Sequence, residues 1–154
     1  MAQKQQAKIL TSLAGEYYVA AELCRRGYLA SLTLKNYPKV DIFALNPVTH
    51  EPVAVQVKTI RRYKDRWLFF VPSDAAEYRG VFVFVIVGND HMPYEAFVLT
   101  GLEVSARAEK ARKEYVAKEH KRPLVEKDQP LMLGLPELDD RRDRWDIIFG
   151  VPAV

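Results

Sequence analysis

Asp41, Gln56 and Lys58 are the residues of this chain best placed to do chemistry together. They interrupt two runs of strand-forming residues, Val40-Asp41-Ile42-Phe43-Ala44-Leu45 and Val53-Ala54-Val55-Gln56-Val57-Lys58-Thr59. Asn46-Pro47 opens the turn between them. Side chains two apart on a strand share a face, so Gln56 and Lys58 point one way while Val55 and Val57 point the other. A carboxylate on the neighbouring strand can face them. Such a set can hold a hard divalent cation and put an ammonium beside it.

That arrangement suits phosphodiester hydrolysis, which needs a nucleophilic water, charge stabilisation on the phosphate and help for the leaving oxygen. A magnesium ion held by oxygen ligands can supply the first two. Asp41 is the natural anchoring ligand, the Gln56 amide offers a neutral oxygen, and the Val57 carbonyl is available if the strand edge is open there. Lys58 can orient the attacking water or neutralise charge developing on the phosphate. One carboxylate is a thin site for a dication, and Glu16 is the best candidate for a second. Each residue also has a plainer reading. Asp41 can cap a turn or pair with Lys39, Gln56 can be an ordinary strand residue, Lys58 can snorkel to solvent and Glu16 can face solvent from a helix.

The elements that must position these residues follow from periodicity. Residues 4–26 read as a helix, with Leu10, Leu13, Ala14, Tyr17, Ala21 and Cys24 on one apolar face and Gly27 closing it. On this reading Cys24 is buried and inert. Gly15, inside the helix, costs roughly 1 kcal/mol against Ala, and a close approach of another backbone would explain it. Residues 28–34, 40–45 and 53–59 read as strands, and 66–71 as a fourth. Residues 72–78 suit a short helix with Ser73 as N-cap. Residues 81–87, apolar on both faces, make a central, doubly covered strand, with 95–99 paired to it or nearby. Thr100-Gly101-Leu102-Glu103 is a capping box opening a helix to about residue 119. Residues 121–136 read as irregular, and 145–149 as a last short strand or packed tail. The layout is α/β, with α+β an alternative: a mixed sheet flanked by helices, in one domain spanning residues 1–154.

On these residues the chain resembles the PD-(D/E)xK nuclease superfamily, the restriction-endonuclease-like fold. The resemblance rests on Gly15-Glu16 in the first helix, then Gly27-Tyr28, then Asp41, then Gln56-Val57-Lys58, and covers about residues 14–59. It is similar to the pattern in archaeal Holliday-junction resolvases and in one compact group of homing endonucleases. The resemblance implies a catalytic set of Glu16, Asp41, Gln56 and Lys58, with magnesium (manganese as a substitute) held by Glu16, Asp41, Gln56 and Val57. The chain departs from the family pattern in three places. Val40 rather than Pro precedes Asp41. Gln56 stands at an acidic position, which leaves more weight on Glu16. The family's crossover helix has only residues 73–78 to occupy.

Composition is permissive. The chain has 154 residues, 49% of them hydrophobic, and a net charge of +3 that neither demands nor excludes nucleic acid. Lys39, Arg61, Arg62 and Lys64, beside the candidate strands, can hold a phosphate backbone, or the last three can be an exposed loop. Tyr63, Trp67 and Phe69 can stack on bases, though core packing suits the last two. The clusters at 110–113 and 120–122 read as solvated, and His50, His91 and His120 as surface residues. No run is long and apolar enough to span a bilayer, no signal-peptide core is seen, and the single cysteine excludes an internal disulfide. A cytoplasmic location is expected. The expected activity is metal-dependent DNA cleavage. So small a chain cannot easily enclose a duplex, so a homodimer that cuts both strands is expected. The alternatives are an inactive nuclease-fold module that binds nucleic acid or a protein, and a purely structural domain.

Overall fold

A computed structural model describes residues 2–34, 39–61, 68–88, 92–118 and 125–150, without the side chains of residues 2, 149 and 150. The order is helix α1 (Ala2–Arg25), strands β1 (Leu29–Leu32), β2 (Ile42–Leu45), β3 (Pro52–Arg61), β4 (Phe69–Phe70), β5 (Val81–Val87) and β6 (Glu95–Thr100). Then come helix α2 (Gly101–Ala117), strand β7 (Met132–Leu133), and short helices α3 (Leu135–Leu138) and α4 (Asp146–Gly150). Five strands form one sheet in the order β1-β2-β3-β5-β6, while β4 pairs with β7 in a small second sheet. Among the described strands only the β3–β5 pair is parallel. The fold is therefore α/β with a mixed sheet flanked by helices.

β5 explains the layering. Every residue of Val81-Phe82-Val83-Phe84-Val85-Ile86-Val87 is buried, so both faces of the sheet must be covered. Its valines join Val19 and Leu23 of α1, Val55 and Val57 of β3, Trp145 and Ile148. Phe82, Phe84 and Ile86 join Val104 and Ala108 of α2, with Phe69, Leu133 and Leu138. Two cores thus lie on opposite faces of one sheet.

α1 stops where expected. Gly27 has φ of 89°, its N–H bonds to the Cys24 carbonyl, and Tyr28 N–H reaches back to Leu23. This is the paired closure that glycine permits at a helix end. The capping box of α2 is also present: Thr100 accepts from Glu103 N–H, and Glu103 accepts from Thr100 N–H at 2.9 Å. α2 ends at Ala117, short of residue 119.

Four expectations need correction. The buried face of α1 runs through Gly15, Val19 and Leu23, whereas Leu10, Tyr17, Ala21 and Cys24 are exposed. Residues 74–78 form a single 3-10 turn (Ala75–Glu77) with Asp74 at its start and no side-chain cap, so Ser73 is not an N-cap. The end of the chain is not a strand: Trp145 precedes the short helix α4 (Asp146–Gly150), and Trp145 and Ile148 enter the core, which matches the packed-tail alternative. Within 121–136 the described part contains β7 and α3 as well as a 3-10 turn (Glu126–Asp128). Phe69 is core rather than a stacking platform, and His50 is exposed. Tyr63, Arg62, Lys64, Trp67, His91 and His120 lie outside the described residues.

Candidate functional site at the overhang of β3

β2 pairs with β3 only from Pro52 to Val55, whereas β5 pairs with β3 from Val55 to Arg61. β3 therefore overhangs β2 by the residues 56–61, and among the described residues no strand pairs with that edge. Asp41 sits where β2 begins. Its N–H donates to the Val55 carbonyl at 3.0 Å and its carbonyl accepts from Thr33 N–H at 2.9 Å. These two bonds fix the backbone that carries the carboxylate.

The carboxylate reaches the overhang. Val57 N–H donates to Asp41 Oδ2 at 2.7 Å, taking the place a ladder bond would have had. The N–H and C=O of one strand residue point to the same edge, so the Val57 carbonyl faces that gap as well. Val57's side chain is turned into the α1 core. Gln56 and Lys58 lie beside Phe82 and Phe84 of β5, so they share the α2 face of the sheet. Burial pushes the Asp41 carboxyl above its ordinary value, while the Val57 N–H and the nearby Lys58 ammonium pull it back. Asp41 and Lys58 are thus electrostatic neighbours, and the carboxylate and the Val57 carbonyl face the edge of the strand whose Gln56 and Lys58 share one sheet face.

Glu16 arrives from the other side. A Cβ on Gly15 would lie 2.0 Å from Thr59 Oγ1, so α1 touches β3 one residue beyond Lys58. The expected close approach at Gly15 is therefore to a side chain rather than to a backbone. Glu16 is half-buried and its carboxylate accepts from Ser12 Oγ at 3.0 Å, within the same helix. No group of three or more His, Cys, Asp or Glu side chains converges among the described residues. Of the basic residues, Arg61 ends β3 and is exposed, and Lys39 is paired with Asp74 rather than with Asp41.

A residue absent from the sequence reading also belongs to this neighbourhood. Tyr78 follows the 3-10 turn and packs edge-on against Phe82, ring centroids 5.0 Å apart. Its hydroxyl is buried without a hydrogen-bond partner, and both burial and the Asp41 charge raise its pKa. Nothing in the local sequence marks it, because the contact is made across the fold.

No family model matches the chain and no curated protein matches it. Its fold is similar to that of Hjc from Archaeoglobus fulgidus, a Holliday junction resolvase from an archaeal hyperthermophile. The TM-score is 0.51 at 12% identity, over 90% of this chain and 95% of that one. At that identity the likeness is one of fold, and the fold is the restriction-endonuclease-like one that the PD-(D/E)xK pattern implies.

Proposed function

We propose that the chain is a magnesium-dependent endonuclease that hydrolyses DNA phosphodiesters, with manganese able to substitute. The observation that carries this reading is the Asp41 carboxylate, held by Val57 N–H at the overhang of β3 with Lys58 as its electrostatic neighbour. The available donors are all oxygens: the second Asp41 oxygen, the Val57 carbonyl, the Gln56 amide and, from the α1 side, Glu16. Such a set suits magnesium, which keeps several waters and takes few protein ligands. When bound, the cation supplies Lewis-acid stabilisation of the phosphate and a more acidic water. Asp41 anchors it in the ionised form. Lys58 orients the attacking water and offsets charge growing on the phosphate. Arg61, with Arg62 and Lys64 beyond the described residues, holds the phosphate backbone, and Lys39 adds a contact if it leaves Asp74. The chain works as one domain in the cytoplasm, and two copies present two sites to the two strands of a duplex.

Plasmid cleavage with magnesium or manganese tests this. Lys58→Ala is expected to slow cleavage by about 10²–10³-fold, the usual loss for one charge-stabilising group. Equal cleavage by parent and variant would overturn the assignment. A second reading is favoured by one observation: Gln56 is neutral, and no third carboxylate or imidazole joins the site among the described residues. On that reading the domain binds nucleic acid or a protein without cutting. Salt-dependent DNA binding, with no cleavage under either metal, would select it.

A further inference from the structure

Tyrosines normally keep the hydroxyl wet and bury the ring. Tyr78 does the opposite: the residue is half-buried, yet its hydroxyl oxygen is shut away with no partner. Leaving such a group unsatisfied destabilises the fold, so a phenylalanine would serve packing better. The surroundings hold the ring firmly. It lies edge-on to Phe82, and a Cβ on Gly80 would come 2.9 Å from Tyr78 Cε1. The segment is also tied to the strand that carries the carboxylate, because Asp74 pairs with Lys39, two residues before Asp41. Phe82, on which the ring packs, is the register partner of Gln56, and Asp41 is bonded to Val55 and Val57 on either side of Gln56, so the hydroxyl and the carboxylate belong to the same face of the sheet. Among the described residues only Val57 donates a hydrogen bond to that carboxylate. A donor with no acceptor therefore shares a sheet face with an acceptor that has spare lone pairs.

We propose that Tyr78 is a positioning residue of this site, its hydroxyl donating to the Asp41 carboxylate when a divalent cation is bound. Val57 N–H fixes one carboxylate oxygen, and Tyr78 sets the rotation of the group so that the other faces the overhang of β3. This inference rests on the cation-binding reading of Asp41 above. Groups that orient a metal ligand typically alter affinity by about 10–100-fold when removed.

The test is manganese affinity, measured by calorimetry, together with the melting temperature of the cation-free protein. Parent, Tyr78→Phe, Asp41→Asn and Phe82→Leu are compared. The expected result is manganese binding by the parent, loss of it in Asp41→Asn, and about tenfold weaker binding in Tyr78→Phe. The melting temperature of Tyr78→Phe should equal or exceed that of the parent, because an unmade hydrogen bond has been removed. Phe82→Leu loosens the ring and keeps the hydroxyl, so it should melt lower and bind manganese within about twofold of the parent. Parent-like affinity in Tyr78→Phe, with binding still lost in Asp41→Asn, would overturn the role of Tyr78 alone. Equal loss in Phe82→Leu and Tyr78→Phe would also overturn it, since packing would then account for both. Binding that is absent from the parent, or undisturbed by Asp41→Asn, would instead overturn the cation-site reading and this proposal with it.

Discussion

Asp41 is under opposed demands, and its titration exposes them. Its burial raises the carboxyl pKa, with the Val57 N–H and the Lys58 ammonium opposing. A carboxyl whose pKa is higher in the folded state keeps its proton there to a higher pH than in the unfolded chain. Between the two values the folded state binds more protons, so stability falls as pH rises through that window. Asp41→Asn removes the ionisation and leaves an oxygen to accept from Val57 N–H. The variant is expected to be more stable than the parent above the folded pKa and equal to it below the unfolded one. Urea midpoints at about pH 3 and about pH 7 check this; a variant less stable than the parent at the higher pH would contradict it. On the proposed reading the same substitution is expected to abolish manganese binding, so the ionised carboxylate would cost stability and serve function. At this scale the sequence was readable where local rules apply. Two-residue spacing put Gln56 and Lys58 on one face, and the interrupted apolar run drew attention to Asp41. Tyr78 was not readable, because the loop that follows β4 brings it to Asp41 from 37 positions away in the chain.

At the scale of elements, the contact between α1 and β3 sets the distance between Glu16 and the Lys58 strand. Gly15 makes it possible: a Cβ there would fall 2.0 Å from Thr59 Oγ1 and 2.8 Å from its Cγ2. Thr59 Oγ1 is itself buried without a partner, so it has no hydrogen bond to hold it against displacement. Gly15→Ala gains about 1 kcal/mol of helix propensity but forces the helix off the strand, which typically costs about 1–3 kcal/mol. The net expectation is a less stable protein, with most of the loss recovered in Gly15→Ala/Thr59→Ala, since the second change removes the two nearest of the three crowding atoms and leaves only Cβ, at 2.9 Å. A thermal-melt double-mutant cycle checks the coupling, and additive effects would show that the two residues do not meet. The helix and its stop at Gly27 were legible, as was a close approach at Gly15. The buried face was not. Two stripes satisfy three-and-four spacing, one through Leu10, Tyr17 and Cys24 and one through Gly15, Val19 and Leu23, and periodicity alone favours the richer one. Gly15 marks the stripe that meets the sheet, because α1 touches Thr59 of β3 there, and Val19 and Leu23 enter the core along the same stripe.

On the scale of the molecule, charge is where the nucleic-acid reading can fail. The net charge of +3 is too small for a bulk field to draw in DNA. Many arginines of the second half are already paired: Arg107 with Asp140, Arg112 with Glu109, Arg141 with Glu103, Arg142 with Glu95 and Arg144 with Asp146. Three of these pairs, Arg107–Asp140, Arg141–Glu103 and Arg142–Glu95, tie residues 140–142 to α2 and β6, and Trp145 and Ile148 just beyond enter the core on the α1 face. Arg61, at the end of β3, is exposed and has no ion-pair partner among the described residues. On the proposed reading, phosphate is held by Lys58 and Arg61 at the overhang, with Arg62 and Lys64 next in the sequence. Each neutralised phosphate adds about −0.9 to the slope of log affinity against log salt on duplex DNA, so three or four contacts predict a slope of about −3. Measured on Asp41→Asn, to prevent cutting, Arg61→Ala should flatten that slope by about 1 and weaken all sequences alike. A slope near zero would remove DNA as the partner. An unchanged slope in the double variant would leave DNA binding intact but move it away from β3, and with it the argument that Asp41 and Lys58 meet a phosphate.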